Sequence, residues 1–128
     1  MNGFLLVALG GGLGASLRHG CGVAARLLSG TPGLHATLFV NLVGSALMGI
    51  LVAWIATRPH PEAWRDTMLF LGTGLLGGFT TYSAFSMETV ALMQSGAHGR
   101  AFIYVIANAA GSVSMFWAAF ALARRVLA

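Results

Sequence analysis

The sequence predicts an all-α membrane protein of four transmembrane helices, the third of them broken, assembled as an antiparallel, dual-topology homodimer. Three observations lead there. Hydrophobic residues make up 57% of 128 residues, against 8% charged, and the mean hydropathy is +0.81. That is a composition for lipid rather than water. One apolar segment, "GLLGGFTTYSAFSMETV" (Gly74 to Val90), holds three glycines, five Ser and Thr, a tyrosine and a carboxylate, which is poor material for a helix interior. The arginines also divide almost evenly between the two sides of the predicted bundle.

A hydrocarbon core takes roughly 20 apolar residues per helix, so the chain holds four spans in a single domain, residues 1–128, with no soluble domain beside them. Charge, proline and polar clusters punctuate them. The first runs from about Gly3 to Leu28 and closes at "SGTPG". The second, about His35 to Ala56, ends at "TRPHPEAWRD". The third starts near Thr67 and runs to about Gln94; "SGAHGR" then leads into a fourth, about Ala101 to Leu122. The N-terminal segment reads as an uncleaved span, because its positive charges follow the apolar run. Trp54, Trp64 and Tyr104 fall toward predicted ends, where amphipathic rings favour the interface; Trp117 lies deeper and reads as packing.

The net charge of +4 comes from seven arginines and no lysine, set near predicted helix ends. They read as interface anchors, and no nucleic-acid role is expected. Cys21 is alone, so it makes no intrachain disulfide, and no Cys/His cluster has zinc-ligand spacing. Gly10, Gly12 and Ala15 imitate a dinucleotide fingerprint, but no βαβ unit follows. No catalytic constellation is visible, and the chain does not read as an enzyme.

Four spans put both termini on one side, with Arg58, Arg65, Arg124 and Arg125. The other side has Arg26 and Arg100, plus Arg18 if it reaches the surface. Orientation follows this asymmetry, and so weak a bias predicts insertion both ways. Small residues, Gly10, Gly11, Gly12, Gly14 and Ala15 in the first span and Gly44, Ser45, Ala46 and Gly49 in the second, allow close helix approach. They serve either intrachain packing or a dimer seam.

Polar groups inside spans are costly unless partnered. Asn41 is either an interhelical hydrogen-bonding group or a donor facing an anion. Asn108 and Ser112, one turn apart, make a polar stripe. In the third segment Gly74, Gly77, Gly78, Thr80 and Thr81 predict a break, tolerated at membrane depth only where protein or a watery cavity surrounds it. Freed carbonyls there would suit a hard cation. Tyr82 and Phe85 share a face, with Ser83 and Ser86 on another; the rings are either core or electropositive edges facing an anion. Glu88, the only acidic residue inside a predicted span, is read as structurally paired, with Arg18 as its possible partner, or as a transport carboxylate.

"GGGLGASLRHG" (Gly10 to Gly20), "FVNLVGSALMGIL" (Phe39 to Leu51) and the Gly74 to Val90 stretch resemble, in order and spacing, three signature stretches of the CrcB/Fluc fluoride channels. The resemblance covers essentially the whole chain. It implies a homodimer with two antiparallel fluoride pores in a bacterial inner membrane, passively exporting fluoride to relieve its toxicity. Carried over by residue, it makes Asn41 the pore amide and Tyr82 and Phe85 the rings whose edges face fluoride. Ser83 and Ser112 become pore hydroxyls, and Arg18 a residue near the mouth. Gly77 and Thr80 supply backbone carbonyls, from both subunits, to a central structural Na+. The usual "TFSTFS" is here "TYSAFS", so Tyr82 replaces a phenylalanine and Ala84 a threonine; Phe116 stands where a fourth-span threonine is expected. Two rival readings are a small dual-topology multidrug or cation exporter using Glu88, and a structural membrane subunit whose polar residues are helix glue.

Overall fold

The computed structural model describes residues 2–30 and 33–127, apart from the side chains of Ser29 and Pro61. Thr31 and Pro32 of the predicted first turn lie outside the described residues. Among the described residues the structure is helical, with no strand.

Helix α1 (Gly3–Ser29) opens on Asn2, whose side-chain oxygen accepts from the Phe4 N–H at 3.1 Å. It closes on Gly30, at φ 65°, where glycine carries no steric penalty. Helix α2 (Leu34–Ala56) stops at Thr57, whose hydroxyl donates to Trp54 O at 2.9 Å, ahead of Pro59 and Pro61. Helix α6 (His98–Leu127) is the longest at 30 residues. Among the described residues three helices are long and apolar enough to cross a membrane: Gly3–Leu28, Leu34–Ala56 and His98–Leu127.

The predicted third segment is divided. After a 3-10 turn (Pro61–Trp64) come α3 (Arg65–Thr67), a nine-residue π-helical stretch (Met68–Leu76), α4 (Gly77–Phe79) and α5 (Tyr82–Gln94). Between α4 and α5 the backbone is extended, with ψ 161° at Thr80 and φ −152°, ψ 120° at Thr81. Helix α5 then ends in a Schellman arrangement: Gly96, at φ 78°, donates to Met93 O, and Ala97 N–H reaches Leu92 O at 2.9 Å.

Two pairings organise the bundle. Along α1 and the π stretch, Gly10 meets Phe70 and Gly74, Gly14 meets Leu75 and Phe79, and Arg18 reaches Gly78. The residue numbers rise together, so these elements run parallel. A Cβ at Gly10 or Gly14 would collide with Phe70 O or Leu75 O. Along α2 and α6, Asn41 faces Asn108 and Gly49 faces the Phe116 carbonyl, again in parallel register. Helix α5 runs the other way along α2, with Thr81 bonded to Asn41 and Glu88 bonded to Thr37.

The small residues at Gly10, Gly14, Gly44 and Gly49 are therefore used inside the chain: Gly10, Gly14 and Gly49 lie against neighbouring backbone, and Gly44 against the Thr80 and Phe79 side chains. A Cβ at Gly12 would meet nothing within 4 Å. Lipid supplies no hydrophobic drive between helices, so this close packing is the source of cohesion. Two aromatic expectations are corrected. Trp117 is 70% exposed on the surface of the chain, because α6 presents its other face to α2. Tyr104 is no surface anchor: it is buried with Phe85, Leu92 and Ala101, and its hydroxyl is bonded to Glu88.

Candidate functional site at the α4–α5 interruption

Two extended residues cannot close a helical ladder, and their neighbours show where the bonds go. In a continuous helix Thr81 N–H would donate to Gly77 O and Ala84 N–H to Thr80 O. Instead Thr81 N–H donates to Asn41 Oδ1 at 2.8 Å, and Ala84 N–H to Thr81 Oγ1 at 3.2 Å, an N-cap. Asn41 replies through Nδ2, which donates to Thr81 O at 3.1 Å and to Asn108 Oδ1 at 2.9 Å. Asn108 Nδ2 donates in turn to Tyr104 O at 3.3 Å. Asn41 thus acts as a surrogate strand for the opened backbone and ties α2, α5 and α6 at one level.

This level borders a cavity of about 400 Å³ lined by Asn41, Thr80, Thr81, Tyr82, Phe85 and Ser112, together with Ser45 and Asn108. The two rings meet edge to face, with centroids 5.2 Å apart at 62°. Phe85 is buried at 7% exposure, whereas Tyr82 is 79% exposed. Ser83 is exposed beside the Thr81 hydroxyl, 3.3 Å away, and is not part of the cavity wall.

On the other side of Thr81 lies a second, smaller cavity of about 190 Å³, with Arg18, His19, Arg26 and Thr37 in its wall. Thr81 belongs to both cavities, so the Asn41 level stands between an aromatic and hydroxyl-rich chamber and a cationic one. The Arg18 Nε donates to Gly78 O at 3.1 Å. Glu88 therefore has partners other than the expected arginine: Thr37 Oγ1 donates to its Oε1 at 2.9 Å, and the Tyr104 hydroxyl donates to its Oε2.

Of the residues singled out in the sequence, Asn41, Tyr82, Phe85, Thr80 and Ser112 share one cavity, Arg18 borders the next, and Ser83 and Gly77 are exposed. Thr37, Ser45, Thr81 and Tyr104 join the site without having been singled out for it. The signal for three of them was spacing. Thr37, Asn41 and Ser45 recur every four residues on α2, and Tyr104, Asn108 and Ser112 do so on α6, so each trio lines one helix face. The parallel register then sets the trios opposite each other.

A model of the family described as "CrcB-like protein, Camphor Resistance (CrcB)" matches residues 5–120. The chain belongs to the CrcB family. Its similarity to CrcB relatives extends over whole chains. It is 47% identical to "Fluoride-specific ion channel FluC" of Hyphomonas neptunium over 130 residues, covering 100% of both chains. It is 44% identical to the protein of that name from Caulobacter sp., over 98% of each, and 45% identical to that of Methylobacterium nodulans, over 94% of this chain and 95% of the relative. These CrcB relatives bear the name of ion channels, not enzymes. With three membrane-length helices, this CrcB chain is a multi-pass bacterial membrane protein.

Among the described residues no group of His, Cys, Asp or Glu is arranged to hold a metal ion. Carbonyl oxygens are the remaining donors for a hard cation. Gly77 O and Thr80 O fit that role in one respect: the amides that would close the helix onto them are bonded to Asn41 and to the Thr81 side chain.

Proposed function

We propose that the chain is a fluoride-specific channel that lets F⁻ leave the cell passively and so lowers fluoride toxicity. The observation that carries this reading is the Asn41 level: an opened helix whose amide, hydroxyl and aromatic groups border a cavity inside a membrane protein. The FluC name of its relatives supports it. Fluoride is small and strongly hydrated, so a pore must replace its water shell with donors while giving larger anions a worse exchange. Amide N–H, hydroxyl O–H and ring edges supply partial positive charge without a fixed cation that would trap the ion.

In this reading fluoride takes one Asn41 hydrogen in competition with Thr81 O or Asn108 Oδ1, passing between the two cavities that share Thr81. Ser112 hydrates it on one side, and the Phe85 and Tyr82 edges contact it. The cationic wall at Arg18 raises the anion concentration near the mouth. Glu88 does not suit the exporter alternative, because both its oxygens already accept hydrogen bonds from Thr37 and Tyr104.

Parallel register supports a fourth membrane pass. Helices α2 and α6 each have membrane-crossing length and run the same way, so residues between them must return across the bilayer. Only the run from α3 to α5 is available, with the Thr80–Thr81 interruption as its break. The exposure of Tyr82, Ser83 and Gly77 fits completion of the site by a second copy, in the antiparallel homodimer that near-balanced arginines favour. Gly77 O and Thr80 O of both copies would hold a structural Na+, which would add fixed positive potential near the anion path.

The test is fluoride efflux from liposomes holding the purified protein, with chloride as the comparison anion. Rapid fluoride release with negligible chloride release is expected; equal release of both would remove the selectivity claim.

A further inference from the structure

Away from the Asn41 level, the end of α2 and the start of the α3–π run enclose a cleft of about 590 Å³. Its walls are apolar, from Val52, Ile55, Met68 and Leu69, and its lining ends in one acid and one base, Glu62 and Arg65. Both charged side chains are 75% exposed, and the internal pairs they make lie at the surface, Glu62 with His60 at 3.3 Å and Arg65 with Asp66 at 3.9 Å. Trp64 also lines the cleft and packs edge-on to Trp54, with ring centroids 4.6 Å apart, while the Arg58 guanidinium lies 4.8 Å over Trp54. Paired tryptophans and arginines next to an apolar trough mark headgroup depth.

We propose that this cleft binds one phospholipid with a zwitterionic headgroup ending in a primary ammonium, of the phosphoethanolamine type. Charge complementarity selects that occupant. The headgroup phosphate pairs with Arg65, whose planar fork suits it, and the terminal ammonium donates to Glu62. An acyl chain fills the trough between α2 and the start of the π stretch, where the two elements leave a gap. An anionic lipid without an ammonium would leave Glu62 facing a like charge. A trimethylated ammonium would keep the charge and lose the hydrogen bonds. The site rests on the membrane location of the chain and not on fluoride conduction, since none of its residues borders the Asn41 cavities.

Native mass spectrometry of the full, detergent-solubilised chain titrated with phosphatidylethanolamine, phosphatidylcholine and phosphatidylglycerol tests this. Retained phosphatidylethanolamine adducts are expected, with about tenfold weaker binding of the other two, the scale of one charge-assisted hydrogen bond lost. Glu62→Gln should erase the preference for phosphatidylethanolamine, whereas Arg65→Gln should weaken all three lipids alike, because each carries the phosphate. Ala56→Trp should block the trough and lower the binding of all three. Equal binding of the three lipids, or a preference unchanged in Glu62→Gln, or binding unchanged in Arg65→Gln, overturns the proposal.

Discussion

Asn41 spends its amide on three hydrogen bonds, two to the opened backbone at Thr81 and one to Asn108. Removing that amide should therefore harm fold and function together. Asn41→Ala leaves the buried Thr81 N–H and the Asn108 oxygen without partners, at about 1–3 kcal/mol each. The thermal midpoint in detergent should fall clearly, and fluoride flux should be lost. A variant with unchanged midpoint would mean that water replaces the amide at no cost. Tyr82 is the opposite case: its hydroxyl makes no hydrogen bond within the described residues, and its ring keeps the edge-on contact with Phe85. Tyr82→Phe should keep fluoride efflux in liposomes; a dead variant would make the hydroxyl an essential ligand. The contact between the Tyr82 and Phe85 rings was legible from their spacing of three, whereas the Tyr104 contact with Glu88 was not. Proximity to a predicted helix end pointed Tyr104 outward, while its true determinant is Glu88, 16 positions away on another helix.

At the scale of elements, the composition of the third segment pointed to poor helix-forming residues, but not to the form the backbone takes. Gly74, Gly77, Gly78, Thr80 and Thr81 led to the expectation of a break, and the backbone is extended at Thr80 and Thr81. The nine-residue π stretch has no local sequence signature; it packs on α1, whose Gly10 and Gly14 backbones lie directly against it. The same contact makes two glycines of one helix unequal. Gly14→Ala drives a methyl into Leu75 O and should cost about 1–3 kcal/mol, as overpacking does. Gly12→Ala meets open space and should be neutral or stabilising by up to about 1 kcal/mol, from helix propensity. Thermal unfolding of the two variants side by side checks this; equal losses would show that α1 does not pack on the π stretch through its Gly14 face.

For the whole molecule, chain direction carries more than hydropathy does. Among the described residues three helices have crossing length, and the shared direction of α2 and α6 is what favours a further pass between them in the proposed channel. The arginine pattern read from the sequence bears on orientation, and the proposed dual topology and homodimer rest on it. Two consequences are measurable. A terminal tag should be labelled from both faces of sealed vesicles, and labelling from a single face would remove dual topology. Replacing Na+ with a large organic cation should lower the thermal midpoint and the dimer fraction if Gly77 O and Thr80 O hold a structural sodium; identical stability in both salts would remove the ion from the account. The most direct measurement is fluoride efflux from liposomes by the unaltered chain and by Phe85→Ile, with dimer content checked in both. Fast, chloride-excluding efflux that collapses in an intact Phe85→Ile dimer is the predicted result. Undiminished efflux through that variant would contradict a fluoride path along the aromatic wall of the Asn41 cavity.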